Sequence, residues 1–157
     1  MTLYTLNPDV PADHAEWIED PNSDPPRITG ARFEFVLPVI GELLNSQSGL
    51  YAVTEPLAAA LAATTMTGFT LVPATGEIAD YAQDPETIVI PTFYGLYLHG
   101  EPGQADFAHR RGMPFGMVLS QRAADFLCER EPKLAKTRWE IDETGLVLRN
   151  PNRRRPS

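Results

Sequence analysis

"GLYAVTEPLAAAL" (Gly49–Leu61) and "FGMVLSQRAADFL" (Phe115–Leu127) pass in the same way from a short apolar run, through a hydroxyl residue, into a helix-forming stretch. In the first, Leu50–Val53 reads as a strand and Thr54 as a helix N-cap. Glu55 and Pro56 suit a first turn, where an acid meets the helix dipole and a missing N–H costs nothing. Leu57 and Leu61 then share one helix face, Gly68 stops the helix, and Phe69–Val72 returns as a strand. In the second, Gly116–Leu119 is the strand and Ser120 the cap. Ala123, Phe126 and Leu127 form the buried face, Pro132 lies past the helix end, and "AKTRWEID" is the returning strand. At an offset of 66 residues Thr54 meets Ser120, Leu57 meets Ala123, Ala58 meets Ala124 and Leu61 meets Leu127. This is either one structural unit used twice or two segments of a kind any α/β protein contains.

Working outward, Leu3–Leu6 reads as a first strand. "PADHAEWIED" reads as a short helix between Pro11 and Pro21, with Trp17 and Ile18 inward, and "PNSDPP" as a loop. In "ITGARFEFVLP", Ala31, Phe33 and Phe35 alternate with Arg32 and Glu34, which is a half-buried strand. "VIGELLN" reads as a helical turn. "ETIVIPTFYGLYLHG" reads as buried strand broken at Pro91 and Gly95, and Gln104–His109 as one helical turn. The chain closes with a turn at Thr144-Gly145 and a last strand, Leu146–Leu148. The expected fold is therefore α+β: a single domain over residues 1–148 with two β-α-β-like units and several short strands. A basic tail, 149–157, is expected to be disordered.

At 157 residues with 43% apolar and 22% charged residues, the chain is long enough to bury a core. Its 15 prolines favour short elements. The N-terminus has neither the basic nor the apolar region of a signal peptide, and no apolar run approaches a membrane span. The lone Cys128 forms no intramolecular disulfide and fits a reducing compartment. A cytoplasmic protein that does not engage membranes is the expectation.

Charge is unevenly laid out. Residues 1–109 carry 15 acids against Arg27 and Arg32, a net −13, whereas residues 110–157 carry a net +5. No Lys or Arg occurs from Phe33 to His109. Nucleic acid is disfavoured as a ligand, because phosphate binding needs clustered cations. The acidity either keeps the chain in solution or steers a basic partner. On the second reading the partner-binding residues are Asp13, Glu16, Trp17, Glu19 and Asp20, with Glu77, Asp80, Asp84 and Glu86. Trp17 is either an anchor framed by acids or a core residue.

Motifs for catalysis are absent: there is no G-x-S-x-G, P-loop, G-x-G-x-x-G or C-x-x-C. Cys128 follows Phe126-Leu127 near a helix C-terminus, which suits packing rather than nucleophilic chemistry. His99, Asp106 and His109 could bind a transition metal, but the spacing matches no zinc pattern, and Asp106 and His109 share a face only on a helix. No cofactor is expected.

The two opening segments also resemble those of a family of immunity proteins from bacterial polymorphic toxin systems. The residues that carry the resemblance are Val53-Thr54-Glu55, Leu57 to Leu61, and Gly68-Phe69 through Pro73. In the second segment they are Val118-Leu119-Ser120 followed by Ala123, Ala124 and Leu127. It covers Gly49–Ala74 and Phe115–Ile141, and Gln121 stands where the family usually has an acid. These are caps and packing positions, so no functional residue carries over. The resemblance implies a non-enzymatic inhibitor that binds a cognate toxin, a basic protein if the acidic surface is its target. The alternatives are a small metal-dependent enzyme using His99, Asp106 and His109, and an adaptor or chaperone for a secreted effector.

Overall fold

The computed structural model describes residues 2–109, 116–142 and 147–149. Along these the strands and helices run β1 (Leu3–Thr5), β2 (Ala12–Asp20), β3 (Arg27–Phe35), β4 (Leu43–Asn45), β5 (Tyr51–Thr54), α1 (Glu55–Ala62), β6 (Phe69–Ile78), β7 (Phe93–Leu98), β8 (Phe107–His109), β9 (Met117–Leu119), α2 (Gln121–Arg130), β10 (Trp139–Ile141) and β11 (Val147–Arg149). Two 3-10 segments, Pro85–Thr87 and Pro132–Thr137, punctuate the later loops. The α+β class expected from the sequence is the class observed. The turn at Thr144-Gly145 and the tail from Asn150 onward lie outside the described residues.

The chain divides into two compact units. One comprises Asp9–Thr64 and Thr70–Tyr97; the other comprises Met1–Pro8, Thr65–Phe69 and Leu98–Ser157. The first is built on a six-stranded sheet in the order β2-β3-β6-β7-β5-β4. β3 follows its alternation: Ala31, Phe33 and Phe35 are almost wholly buried while Arg32 is exposed. It pairs antiparallel with β2 and parallel with β6. The two edges of the sheet are also joined. Ala12 bridges Ser46, Asn45 N–H donates to the Asp9 carbonyl at 2.9 Å, Gln47 N–H donates to the Ala12 carbonyl at 3.0 Å, and Ala15 N–H donates to Ser48 Oγ at 3.1 Å. The sheet thus curls on itself like a small barrel, and side chains fill its interior. That interior is Ala12, Ala15, Ala31, Phe33, Phe35, Leu44, Ala52, Val72, Ile88 and Phe93. Phe93 meets both Phe33 and Phe35 edge-on, at 5.5 Å between ring centroids in each case.

β2 corrects the expectation of a helix over "PADHAEWIED". Ala12 and Ala15 are both buried at a spacing of three, which looks helical. The register shift between Ala12 and His14 causes it: a bulge reverses the inward-outward parity, so two positions an odd distance apart face the same side. Trp17 is half-buried, but Ile18 is 40% exposed rather than inward. Gly95 lies inside β7 and does not break it. A Cβ there would come within 2.8 Å of the Trp17 ring, 2.9 Å of Val72 and 3.0 Å of Ala31, so only glycine lets Trp17 lie over that strand. "VIGELLN" yields strand β4 rather than a helical turn, because Leu43–Asn45 pairs with Tyr51–Val53. The strand expected over residues 86–100 begins only at Phe93, after the 3-10 segment and Pro91, which offers no N–H to a ladder, and ends at Leu98.

The second unit holds a five-stranded sheet, β11-β10-β1-β9-β8. β1 is antiparallel to both β9 and β10, which are therefore parallel to each other, and α2 provides the crossover between them. β5 and β6, linked by α1, are likewise separated in their sheet by one strand, β7. Both β-α-β segments thus have the same split plan, and each repeats a strand, a hydroxyl residue, a helix and a strand. The caps differ. Ser120 Oγ accepts from Ala123 N–H at 3.2 Å, as the sequence suggests. Thr54 holds the N-cap position of α1, but its hydroxyl caps nothing and is buried without a partner among the described residues. Of the helical turn expected at Gln104–His109, Phe107–His109 is instead strand β8, paired antiparallel with β9, while Gln104 and Ala105 sit in a turn with their N–H groups on the Glu101 carbonyl. Gly68, at φ +96°, turns the chain where any Cβ would overlap the Phe107 carbonyl oxygen.

Candidate functional site

The sequence leaves apolar side chains exposed in two places that the first unit brings together. β3 ends at Phe35, and Val36 and Leu37 turn away with both N–H groups on the Pro11 carbonyl, at 2.9 and 3.2 Å. Ala79 N–H donates to the Phe35 carbonyl at 2.9 Å, which starts the loop that follows β6 beside that same strand end. The loop is pinned by buried Ala79 and Ile88 and by Thr87, whose N–H and hydroxyl both donate to the Asp84 carbonyl, at 3.0 and 2.7 Å. Between these segments lies a groove of about 630 Å³, lined by Asp13, Val36, Leu37, Pro38, Tyr81, Ala82, Gln83, Asp84 and Thr87. Leu37 is 56% exposed and Tyr81 61% exposed. Ile40, Ile78 and Val89, also exposed, lie in or beside the same two segments.

Acids rim this groove. Tyr81 donates its hydroxyl to Asp13 Oδ2 at 2.5 Å. Hydrogen bonding to Asp13, with lesser effects of burial and of the Asp13 and Glu34 charges, pushes the Tyr81 phenol up to about 12, because ionising it would set a second negative charge beside these carboxylates. Across the sheet, His14 pairs with Glu34 and Glu34 with Glu77. The neighbouring row is Glu16, Arg32 and Thr75, where Arg32 Nη2 meets Glu16 Oε1 at 3.2 Å. One row is therefore balanced by a cation, while the row nearer the groove sets two acids side by side, an arrangement that costs stability.

The expected partner-binding residues separate along this geometry. Asp13 and Asp84 line the groove, Glu77 stands in the adjacent acidic row, and Asp80 and Glu86 are exposed on the loop. Glu16 is paired with Arg32. Glu19 and Asp20 lie at the far end of β2, about 20 Å from Asp13 at strand rise, and Asp20 Oδ1 accepts from Asn22 N–H at 2.9 Å within the hairpin turn. Trp17 packs edge-on against Tyr97, at 5.3 Å between centroids. Sequence reasoning passed over Leu37, Glu34 and Tyr81. The signal for Tyr81 was an aromatic in an acidic, proline-bearing loop, "ADYAQDPET".

Asp106 has a different task. Its carboxylate, in the second unit, is nearly buried. It accepts from Thr67 N–H at 3.0 Å, Ser120 Oγ at 2.7 Å, and Arg122 Nε and Nη2 at 2.7 Å each. The Arg122 guanidinium first, then Ser120 and Thr67, hold this carboxyl well below the usual range against the opposing effect of burial. Both oxygens are engaged, and on an extended chain Asp106 and His109, three residues apart, project to opposite sides. Among the described residues no group of three or more His, Cys, Asp or Glu is placed to hold a metal. The His99, Asp106 and His109 set thus does not assemble, because its carboxylate is committed to the N-terminus of α2. Burial pushes the Cys128 thiol up, away from nucleophilic reactivity. Among the described residues no helix is long and apolar enough to cross a membrane.

A comparison with protein-family models finds no match, and comparisons with curated proteins and with solved structures find none either.

Proposed function

We propose that this chain is a non-enzymatic binding protein of the immunity type, which neutralises a cognate bacterial toxin in the cytoplasm by docking a basic surface of that toxin. The observation that carries the reading is the groove beside Tyr81. It joins exposed apolar side chains to the carboxylates of Asp13 and Asp84, and all of its lining but Asp13 lies in the stretch from Phe33 to His109 that contains no Lys or Arg. Apolar contact supplies affinity, and a one-signed rim speeds association and discourages wrong partners. Asp13, Asp84 and Glu77, with Asp80 and Glu86, are the binding residues in this reading. Glu16, Glu19, Asp20 and Trp17 form a second, peripheral set.

The test is capture of the partner from source cells by the tagged chain, followed by expression of that partner alone and together with this chain. A stoichiometric partner that is toxic alone and harmless in company is the expected result. A partner that stays toxic in company, or that this chain helps to export, refutes immunity; the second outcome is what an effector adaptor produces.

A further inference from the structure

We propose that the groove is a subsite for an arginine side chain carried on an extended apolar-basic segment of the partner protein. This rests on the reading of the chain as a binding protein and adds the chemistry of what it recognises.

Three features of the groove point to such an occupant. Its volume, about 630 Å³, is that of a site for several side chains rather than for an ion. Its walls are of two kinds: Val36, Leu37, Pro38 and Ala82 are apolar, whereas Asp13 and Asp84 are acidic. A long side chain with an apolar stem and a cationic head satisfies both. The third feature is Tyr81, whose ring is exposed but fixed at its hydroxyl by Asp13. A ring held in place beside carboxylates is a ready platform for a cation. Guanidinium is favoured over ammonium, because it is planar, stacks on aromatic faces, pairs with carboxylates through a fork of N–H groups, and is the more weakly hydrated.

The experiment follows amide shifts of the ¹⁵N-labelled full chain during titration with the capped peptide Gly-Leu-Arg-Leu-Gly. Parallel titrations use versions with lysine or with citrulline, the neutral isostere, at the central position. The expected result is saturable shifts confined to Val36, Leu37 and Tyr81–Asp84. The lysine peptide should bind several-fold more weakly, and the citrulline peptide should produce no saturable shift. Binding should fall several-fold between low and high salt as the charges are screened. Tyr81→Ala and Asp84→Asn, both at exposed positions, should each weaken binding at least fivefold, whereas Tyr81→Phe, which keeps the ring but loses its tie to Asp13, should weaken it by less than Tyr81→Ala. Equal binding of the citrulline peptide, shifts centred elsewhere, or no saturable binding overturns the subsite. If the peptides fail while charge reversal at Glu77, Asp80 and Glu86 still weakens binding of the intact partner, the subsite falls and the proposed function stands. If the reversal is also without effect, both fall.

Discussion

Replacing Asp106 by asparagine tests a closely bonded point of the second unit. The carboxylate supplies acceptors at both oxygens to donors that arrive from two segments: Thr67, and the N-terminus of α2 with Ser120 and Arg122. An amide keeps one acceptor and turns an N–H₂ group toward a donor at the other. Arg122 is more than half exposed, so water replaces the carboxylate there and that pair adds little. The cost comes from the inner donors, the Thr67 N–H and the Ser120 hydroxyl. Each loses a charge-assisted bond at a nearly buried site, which gives about 2–3 kcal/mol in all. For a protein of this size that is a fall in Tm of roughly 4–12 °C. The pH dependence has a definite sign. The folded-state pKa of Asp106 is depressed, so its contribution is complete above the unfolded value, about 4, and is lost as pH falls toward the folded value. Urea unfolding followed by far-UV circular dichroism should therefore show a constant gap between wild type and Asp106→Asn from pH 7 to pH 5. The gap should narrow below about pH 4. A variant as stable as wild type at pH 7, or a gap that persists undiminished at pH 3, would refute this reasoning.

The two helix caps should respond oppositely. Ser120→Ala should cost about 1–2 kcal/mol in the same unfolding assay, whereas Thr54→Val, which removes a buried unpartnered hydroxyl, should be neutral or stabilising. Gly95→Ala should destabilise by about 1–3 kcal/mol through overpacking and should shift the Trp17 fluorescence, since the added methyl meets that ring. In a spectrophotometric titration at 295 nm, one tyrosine should ionise near pH 12, and Asp13→Asn should return it toward the ordinary value near 10.

Local patterns and local chemistry were legible in the sequence. β3 could be read from its period of two, and α2 from its Ser120 cap and the Ala123 and Leu127 spacing. Two β-α-β-like runs of strand, hydroxyl residue, helix and strand were visible, but not the strand that splits each of them in its sheet. What failed depended on partners distant in sequence. β2 was read as a helix from its flanking Pro11 and Pro21, whereas its pairing with β3 makes it a strand, with a bulge that puts Ala12 and Ala15 on one side. β4 and β8 are three-residue strands that exist only by pairing with β5 and β9. The site was half-legible. The long absence of cations marked the acidic surface, but composition could not separate Asp13, at the groove, from Asp20 at the far end of the same strand. The apolar half, Leu37 with Tyr81, emerges only when the end of β3 and the loop after β6 are adjacent, and the sequence separates them by 43 residues. Asp106 was read as a possible ligand because its acceptors could not be assigned before Arg122 and Thr67 were placed.

The central claim is that the groove beside Tyr81 binds the basic partner. Its most direct test is quantitative capture of that partner by wild type, by Asp13→Lys/Asp84→Lys, and by a control reversal, Glu55→Lys, on α1 away from the groove. Wild type and the control should retain a stoichiometric partner and suppress its toxicity, while the double variant should lose at least tenfold in affinity and fail to protect. Undiminished capture and protection by a folded Asp13→Lys/Asp84→Lys chain would contradict the account.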